Sequence, residues 1–463
     1  MVELRLDLME ERDLRRLLEA RGRPVIVTNR PVREGGRAAE PEAERLEALV
    51  VAARLGAEYV DVELDSVARL GKLPGETARI VSHHDFDGTP ADLEALLKRL
   101  LDAGPDVAKL CVTANDMCDV PPMLDLLRRH AGTTPLIGLS MGEPGVVTRL
   151  LAPKLGAFLS FAALDEGQEA APGQVPVREM AEMYRFHRLD EGTVVYGVVA
   201  DPVAHSMSPP VHNAAFEALG INAVYLPFKV TDPALFLQDF EPYDLAGLSV
   251  TIPHKEAMLG LMDEVEPLAR RVGAVNTVRI DEGHRYGCNT DVSAAVESVE
   301  DAVERAGLEP LSERHVLLVG AGGAGRAIAY GLREKGVELT IANRTVSRAE
   351  KLAAEVGAEF CGLDRMEALS ADIIINSTSV GMWPRVEDSP VPADMLGLGM
   401  VVFDSVYNPI RTRLLREAEK AGAVTASGVE WFVNQAAAQF ELWTGTDAPR
   451  EVMAETLRRR LEG

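Results

Sequence analysis

The stretch HVLLVGAGGAGRAIAYGLREKGVELTIANRT, His315 to Thr345, decides how the chain is read. It opens on an apolar strand, Val316–Val319, and turns through Gly320-x-Gly322-x-x-Gly325. A helix is predicted from there to about Lys335, then a second strand over Val337–Ala342. Strand, glycine turn and helix in that order are the opening of a dinucleotide-binding unit. The glycines allow a tight turn, close approach of the backbone to a pyrophosphate and close helix–strand packing. The helix N-terminus offers free N–H groups and a positive dipole end to the phosphates. Gly320, Gly322, Gly323, Ala324 and Gly325 are therefore the candidate cradle. An NAD site usually ends its second strand in Asp or Glu to hold the ribose hydroxyls. Here that strand ends Asn343-Arg344-Thr345. An arginine at this point suits a 2′-phosphate, so NADP is the expected cofactor.

At 463 residues the chain is too long for one core and suggests about three domains of ~150 residues each. The net charge of −24 argues against nucleic acid or an anionic membrane as partner, so small molecules are expected, and anionic ones must be held by local arginines and lysines. The four cysteines, Cys111, Cys118, Cys288 and Cys361, have no CxxC spacing and no zinc signature, and are expected to be reduced. The start MVELRLDL has no basic and apolar leader, and there is no apolar run long enough to span a bilayer. A cytoplasmic location is expected, with a homo-oligomer left open.

Upstream, apolar strands alternate with amphipathic helices. The strand candidates are Val2–Leu6, Val25–Thr28, Tyr59–Glu63, Arg79–Ser82, Val107–Leu110, Leu136–Leu139 and Ala157–Phe161; helical patterns separate them, as over Glu42–Leu55. Strict βα alternation implies parallel strands, in a barrel or an open sheet. Polar residues gather at the carboxyl ends of the strands (Glu3, Arg5, Arg30, His83, His84, Lys109) and at Arg149. That is where a (β/α)₈ barrel keeps its site.

These residues carry a resemblance. VELRLDL, VTNRPVREGG, VSHHDFDGTP, VAKLCVTAND, SMGEPGVVTRL and APGQ are similar, in order, to the motifs of type I 3-dehydroquinate dehydratase over about residues 1–188. The resemblance implies a Schiff base between Lys109 and a substrate ketone, with His84 as proton shuttle and Glu34 orienting it. A buried lysine is more readily the neutral amine that attacks a ketone. An imidazole suits both proton steps. Arg149 would clamp a carboxylate bidentately, and Glu3, Arg5, Arg30 and Gln174 would bind hydroxyls. Ala170 stands where many members have serine. Members also carry a strand and helix ahead of the ExRxD motif. The barrel is therefore expected to lack its first βα unit, unless the true start lies upstream; a gap would leave two unpaired strand edges.

Beyond a polar junction, Phe186–Gly192, the motifs VVYGVVADPVAHSMSPPVHNAAF, GLSVTIPHKE, GAVNT and YGCNTD resemble shikimate dehydrogenase, from about residue 193 to 463. The resemblance makes Lys255 and Asp291 a catalytic pair that supplies a proton as charge builds on a reduced ketone. Thr251, Asn276 and Gln435 would bind ring hydroxyls, Ser206 and Ser208 a carboxylate, with Tyr407 nearby. Asn343, Arg344, Thr345 and Arg348 would hold the 2′-phosphate. Thr378 and Gly428 lie on further cofactor-side loops, and Trp431 stands where the family usually has methionine.

The expected architecture is α/β: a (β/α)₈-type dehydratase barrel without its first unit over 1–190, a substrate-binding domain over 193–292 completed by 431–463, and a Rossmann-like NADP domain over 293–430. Both halves together resemble the bifunctional dehydroquinate dehydratase–shikimate dehydrogenases of plants. Three alternatives stay open: a dehydrogenase alone with a non-catalytic barrel module, a quinate dehydrogenase in the second half, or a binding or scaffolding protein built on two enzyme folds.

Overall fold

In a computed structural model, residues 1–308 and 310–462 are described. The chain divides into two compact units, residues 1–194 with 228–244, and residues 195–227 with 245–463.

The first unit is built on six parallel strands in sequential order: β1 (Val2–Arg5), β2 (Val25–Thr28), β3 (Tyr59–Glu63), β4 (Ala78–His84), β5 (Val107–Thr113) and β6 (Leu136–Met141). Helices such as Glu42–Arg54, Leu93–Asp102 and Pro121–His130 separate them. Both faces of the strands are covered, so they read as nearly continuous apolar runs. The ladder register aligns Thr28 with Asp61, Glu63 with Ser82 and Ser82 with Lys109. On one face Ile26, Ile80, Val107 and Ile137 form an apolar floor, with Tyr59 and Phe161 against it. Two residues further along β2, β4 and β5 that same face turns polar, at Thr28, Ser82 and Lys109, because side chains alternate with period two, while Leu139 keeps β6 apolar.

One expectation is corrected. Ala157–Phe161 does not form a seventh ladder strand. Among the described residues its one backbone link to β6 is Phe158 N–H to Leu136 O, and the next bridge, Ala163 to Pro176, lies outside the sheet. An extended segment held on one side by a single bond has no ladder to join, so the sheet is open, with β1 and β6 at its edges. Phe228–Asp244 packs within the first unit, where Tyr243 Oη donates to Asp125 Oδ1 at 2.8 Å and Lys154 Nζ to Asp244 Oδ2 at 2.7 Å.

The second unit has two sheets. The mixed sheet runs β10-β12-β11-β9-β7-β8, from β7 (Val194–Ala200), β8 (Ala223–Lys229), β9 (Leu245–Val250), β10 (Glu264–Val265), β11 (Thr277–Asp281) and β12 (His284–Cys288). The other is wholly parallel, in the order β15-β14-β13-β16-β17-β18: β13 (His315–Val319), β14 (Glu338–Ala342), β15 (Glu359–Cys361), β16 (Ile373–Asn376), β17 (Val401–Asp404) and β18 (Val424–Ala426). Reversal of strand order on either side of β13 is the doubly wound dinucleotide topology, with its crevice at the carboxyl end of β13. Helix Gly428–Thr444 packs on Thr290–Arg305, and Arg450–Glu462 on Ser208–Ala218. Gly331 lets the glycine-loop helix lie against Val292 and Val296, which a Cβ would meet at 2.7–2.9 Å.

Candidate active sites

One pocket in the first unit is lined by Glu3, Arg5, Arg30, Glu34, His84, Lys109, Arg149 and Gln174, the eight side chains singled out there from the sequence. Phe86, Cys111, Met141 and Phe161 add apolar walls. The strand register explains much of the convergence: Ser82 pairs with Lys109, His84 lies two residues further along the same face of β4, and Arg30 follows the end of β2. Arg149 comes from the short helix Val146–Leu150 after β6.

Each group has a defined setting. Lys109 is 5% exposed, its Nζ 2.8 Å from Asp61 Oδ2 and 4.4 Å from the centre of the Phe161 ring. His84 Nδ1 lies 2.9 Å from Glu34 Oε2. Burial, and then the charges of Arg30 and Lys109, push the His84 imidazole well below its ordinary range. Burial pushes the Glu34 carboxyl up to about 7. Below about pH 7 the pair therefore carries its proton on the carboxyl side, beside a neutral imidazole. Arg149 is 1% exposed, reaches only the carbonyls of Phe161 (3.5 Å) and Pro172 (3.3 Å), and has no carboxylate partner among the described residues. Its Nε has no hydrogen-bond partner, and burial lowers its pKa to about 10. A desolvated guanidinium without a counter-ion is a binding site waiting for an anion.

Sequence reasoning missed Asp61 and its network. Asp61 is fully buried, ion-paired through Oδ2 to both Arg30 (2.7 Å) and Lys109, and accepts from Ser82 Oγ at 2.6 Å. Glu63 pairs with Arg30 and Arg45, each at 2.7 Å. The signal was present in Tyr59–Glu63, where two acids alternate with valines inside an apolar strand.

In the second unit Lys255 Nζ and Asp291 Oδ2 are 2.7 Å apart, the lysine opening helix Lys255–Leu259 and the aspartate in the first turn of Thr290–Arg305. Trp431 Nε1 donates to Asp291 O at 3.0 Å, so its indole meets the backbone of the catalytic candidate. Asn276, expected to bind a ring hydroxyl, is buried and engaged internally: its Oδ1 accepts from Thr290 N and Thr277 Oγ1, both at 2.7 Å, and its Nδ2 donates to Thr290 Oγ1 at 3.1 Å. A chain that the sequence did not suggest runs on from it. Tyr225 Oη donates to Ser249 Oγ (2.6 Å), Ser249 Oγ to Gln439 Oε1 (2.7 Å), and Gln439 Nε2 to Thr277 Oγ1 (3.0 Å). Ser206 Oγ accepts from Ser208 N at 3.3 Å, and Thr251 N–H is used on Val199 O. Gln435 donates back to Phe432 O, whose ring meets Tyr407 edge-on.

The cofactor residues surround the end of β13. Gly320, at φ 115°, cannot carry a side chain, since a Cβ would meet Ser377 Oγ at 2.5 Å, and one on Gly325 would meet Gly320 O at 2.4 Å. At Gly322 and Gly323 a Cβ would find open space, so the helix N-terminus Gly323–Glu334 faces outward beside the free backbone of the loop. Thr378, at the end of β16, donates to Asn376 Oδ1, and Gly428 lies against the Val406 carbonyl. Asn343 Nδ2 donates to Thr345 O at 2.9 Å. Arg344 and Arg348 are exposed and make no ion pair among the described residues. Open glycine backbone and two uncommitted guanidinium groups fit a dinucleotide bearing a 2′-phosphate. Among the described residues no group of His, Cys, Asp and Glu is arranged to hold a metal ion, and the four cysteines are free thiols.

A buried strand lysine in an anion-ready pocket and a doubly wound nucleotide domain on one chain describe a two-centre α/β enzyme. Family profiles match in that order: type I 3-dehydroquinase over residues 1–191, shikimate dehydrogenase substrate binding domain over 198–278, shikimate/quinate 5-dehydrogenase over 302–390, and shikimate 5′-dehydrogenase C-terminal domain over 428–458. The chain is 42% identical to the bifunctional 3-dehydroquinate dehydratase/shikimate dehydrogenase, chloroplastic, of Arabidopsis thaliana, over 98% of this chain and 79% of that protein. Its second half is 46% identical to the NADP(+) shikimate dehydrogenase of Methanopyrus kandleri, over 58% of this chain and 96% of the relative. It also resembles the Thermus thermophilus shikimate 5-dehydrogenase solved with NADP(H) and shikimate, at 38% identity and TM-score 0.52, over 58% of this chain and 99% of that one. The chain belongs to the bifunctional 3-dehydroquinate dehydratase/shikimate dehydrogenase family.

Proposed function

We propose that the chain catalyses two consecutive steps, dehydration of 3-dehydroquinate to 3-dehydroshikimate in the first unit and NADPH-dependent reduction of that ketone to shikimate in the second. The observation that carries the first step is the joint setting of Lys109, the His84–Glu34 pair and the unpaired, buried Arg149 in one pocket. Arg149 holds the substrate carboxylate, and Glu3, Arg5, Arg30 and Gln174 meet its hydroxyls. Lys109 Nζ adds to the ketone and water leaves, giving an iminium that acidifies the neighbouring carbon. His84, neutral and oriented by Glu34, takes that proton and returns it to the departing hydroxyl, which leaves as water. Hydrolysis of the iminium frees the product and the lysine.

In the second unit Gly320–Gly325 cradle the pyrophosphate and Arg344 and Arg348 the 2′-phosphate. NADPH, when bound, supplies the hydride. Lys255 and Asp291 stand where a proton is delivered to the oxygen as its charge develops, while Ser206 and Ser208 receive the carboxylate. Tyr407, Thr251 and Gln435 complete the substrate side. Asn276, committed to Thr277 and Thr290, holds the first turn of the Asp291 helix and keeps one amide proton for the substrate.

No helix among the described residues is long and apolar enough to cross a membrane. The free thiols support a reducing, cytoplasmic setting. Borohydride added with 3-dehydroquinate should reduce the iminium and leave the substrate fixed to the Lys109 peptide, as read by mass spectrometry. If no adduct forms, the first unit is a non-catalytic module beside a working dehydrogenase.

A further inference from the structure

Asp61 is fully buried and is not part of the pocket wall, although Lys109 and Arg30 are. Its two oxygens are committed. Oδ2 takes Lys109 Nζ at 2.8 Å and Arg30 Nη2 at 2.7 Å. Oδ1 takes Ser82 Oγ at 2.6 Å, and that hydroxyl accepts in turn from Arg30 Nη1 at 2.7 Å. The carboxylate is thus braced by Arg30, after β2, and by Ser82, on β4, and it reaches the pocket through the two side chains it holds, Lys109 and Arg30.

We propose that Asp61 is the positioning residue of the dehydratase centre, a fixed counter-ion that aims Lys109 Nζ into the pocket and neutralises the iminium formed there; this rests on the dehydratase reading. The charge balance of the step supports the role. An ammonium and a ketone give an iminium and water: the C–N double bond forms, the C–O bond breaks, and two of the three ammonium protons leave in the water. The nitrogen carries one positive charge before and after, so a single fixed anion serves both ends of the step. Asp61 does not itself carry the travelling proton. Its burial favours the neutral acid, but the charges of Arg30 and Lys109 outweigh that and hold it ionised. The proton belongs to His84, the neutral base on the next strand.

The charged groups around Nζ come from several elements: Asp61 and Glu63 on β3, Arg30 after β2, His84 on β4 and Arg149 beyond β6, with the Cys111 thiol two residues along β5. Of these, Asp61 is the one at contact distance from the amine and bearing the opposite charge.

The test uses the full chain and two readouts. The first is the pH midpoint for modification of Lys109 by trinitrobenzenesulfonate, read by peptide mass mapping. The second is the rate of borohydride trapping with 3-dehydroquinate. Asp61→Asn should lower the midpoint by about one pH unit or more, since the ammonium loses its anion, and slow trapping by about 100-fold. Ser82→Ala, which keeps the charge, should leave the midpoint in place. If Asp61→Asn does not fold, Asp61→Glu decides: the wild-type midpoint with slowed trapping supports the positioning role, and trapping at the wild-type rate overturns it. An unmoved midpoint in Asp61→Asn also overturns it, as does a moved midpoint with unchanged trapping, and both leave the dehydratase reading standing. A wild-type chain that forms no adduct overturns that reading itself, and with it the role of Asp61 toward an iminium.

Discussion

The two centres hold a lysine–aspartate pair at nearly the same distance and use it in opposite ways. Lys109 and Asp61, 2.8 Å apart, sit on adjacent levels of a sheet face with side chains 7% and 0% exposed, inside a lattice of Arg30, Glu63 and Arg45. Lys255 and Asp291, 2.7 Å apart, sit at the starts of two helices with side chains 33% and 15% exposed and, among the described residues, no further ion pair to either. In the first centre the reactive charge is part of the core, and removing one member strands the others in a low-dielectric interior. In the second, the pair is open to solvent, and the proposed reading has substrate reach it there. A lysine that must become an iminium needs an anion fixed through the reaction. A lysine that delivers a proton needs access.

The comparison breaks most readily at Arg30. Arg30→Ala leaves Asp61 and Glu63 buried with fewer partners, and should destabilise the first unit by roughly 3–5 kcal/mol, read by chemical denaturation with hydrogen exchange on the β2–β4 peptides. A loss under about 1 kcal/mol would mean the network is not part of the fold. The matching change in the second centre, Lys255→Ala, should lower shikimate-dependent NADP reduction by about 100-fold or more. Its effect on stability should stay within about 1 kcal/mol, as for a pair reached by solvent. A large loss of stability there would erase the distinction.

Much of this was legible in the sequence because the chemistry falls on fixed local frames. Gly320-x-Gly322-x-x-Gly325 between an apolar strand and a helix has one structural reading, and β13 with the helix Gly323–Glu334 follows it. Arg30, His84 and Lys109 stood out as polar residues toward the carboxyl ends of apolar strands, and the family resemblance gave them their roles. What escaped was set by neighbours across strands. Asp61 reads as one more acid in YVDVE until parallel register sets it beside Lys109 and Arg30. Gln439, far along the chain from Ser249 and Thr277, gives no local sign that it joins them. Ala157–Phe161 has the composition of a strand, but a strand exists only with a ladder partner, which composition does not reveal.

Smaller effects sharpen the contrast at the cofactor end. Arg344 and Arg348 are exposed and make no ion pair among the described residues, and the proposed reading gives them to the 2′-phosphate. Arg344→Ala should raise KM for NADPH by about 10-fold or more, the worth of one charge-assisted contact of ~1.5–3 kcal/mol, and leave KM for NADH and the thermal midpoint unchanged. An equal rise for both nucleotides would place the arginine away from the 2′-phosphate.

The smallest effect lies in the His84–Glu34 pair, where two displaced titrations oppose each other. The folded carboxyl of Glu34 titrates at about 7, above its ordinary value, so folding takes up a proton there and the associated stability is lost as pH rises toward 7. The folded imidazole of His84 titrates well below its ordinary range, so folding releases a proton there and stability is lost as pH falls below about 6.5. Between about pH 5 and 6.5 the folded pair holds its proton on Glu34 and the unfolded pair holds it on the histidine, so folding moves the proton without taking up or releasing one. The pair should therefore add almost no slope to stability in that window. Glu34→Gln removes one side of the balance and exposes the other: stability of the variant relative to wild type should fall as pH drops from 6.5 to 5, approaching about 1.4 kcal/mol per unit. Denaturation midpoints of both chains across that range measure the difference. Parallel curves would mean that the two groups do not share a proton, and that His84 meets its substrate oriented by geometry alone.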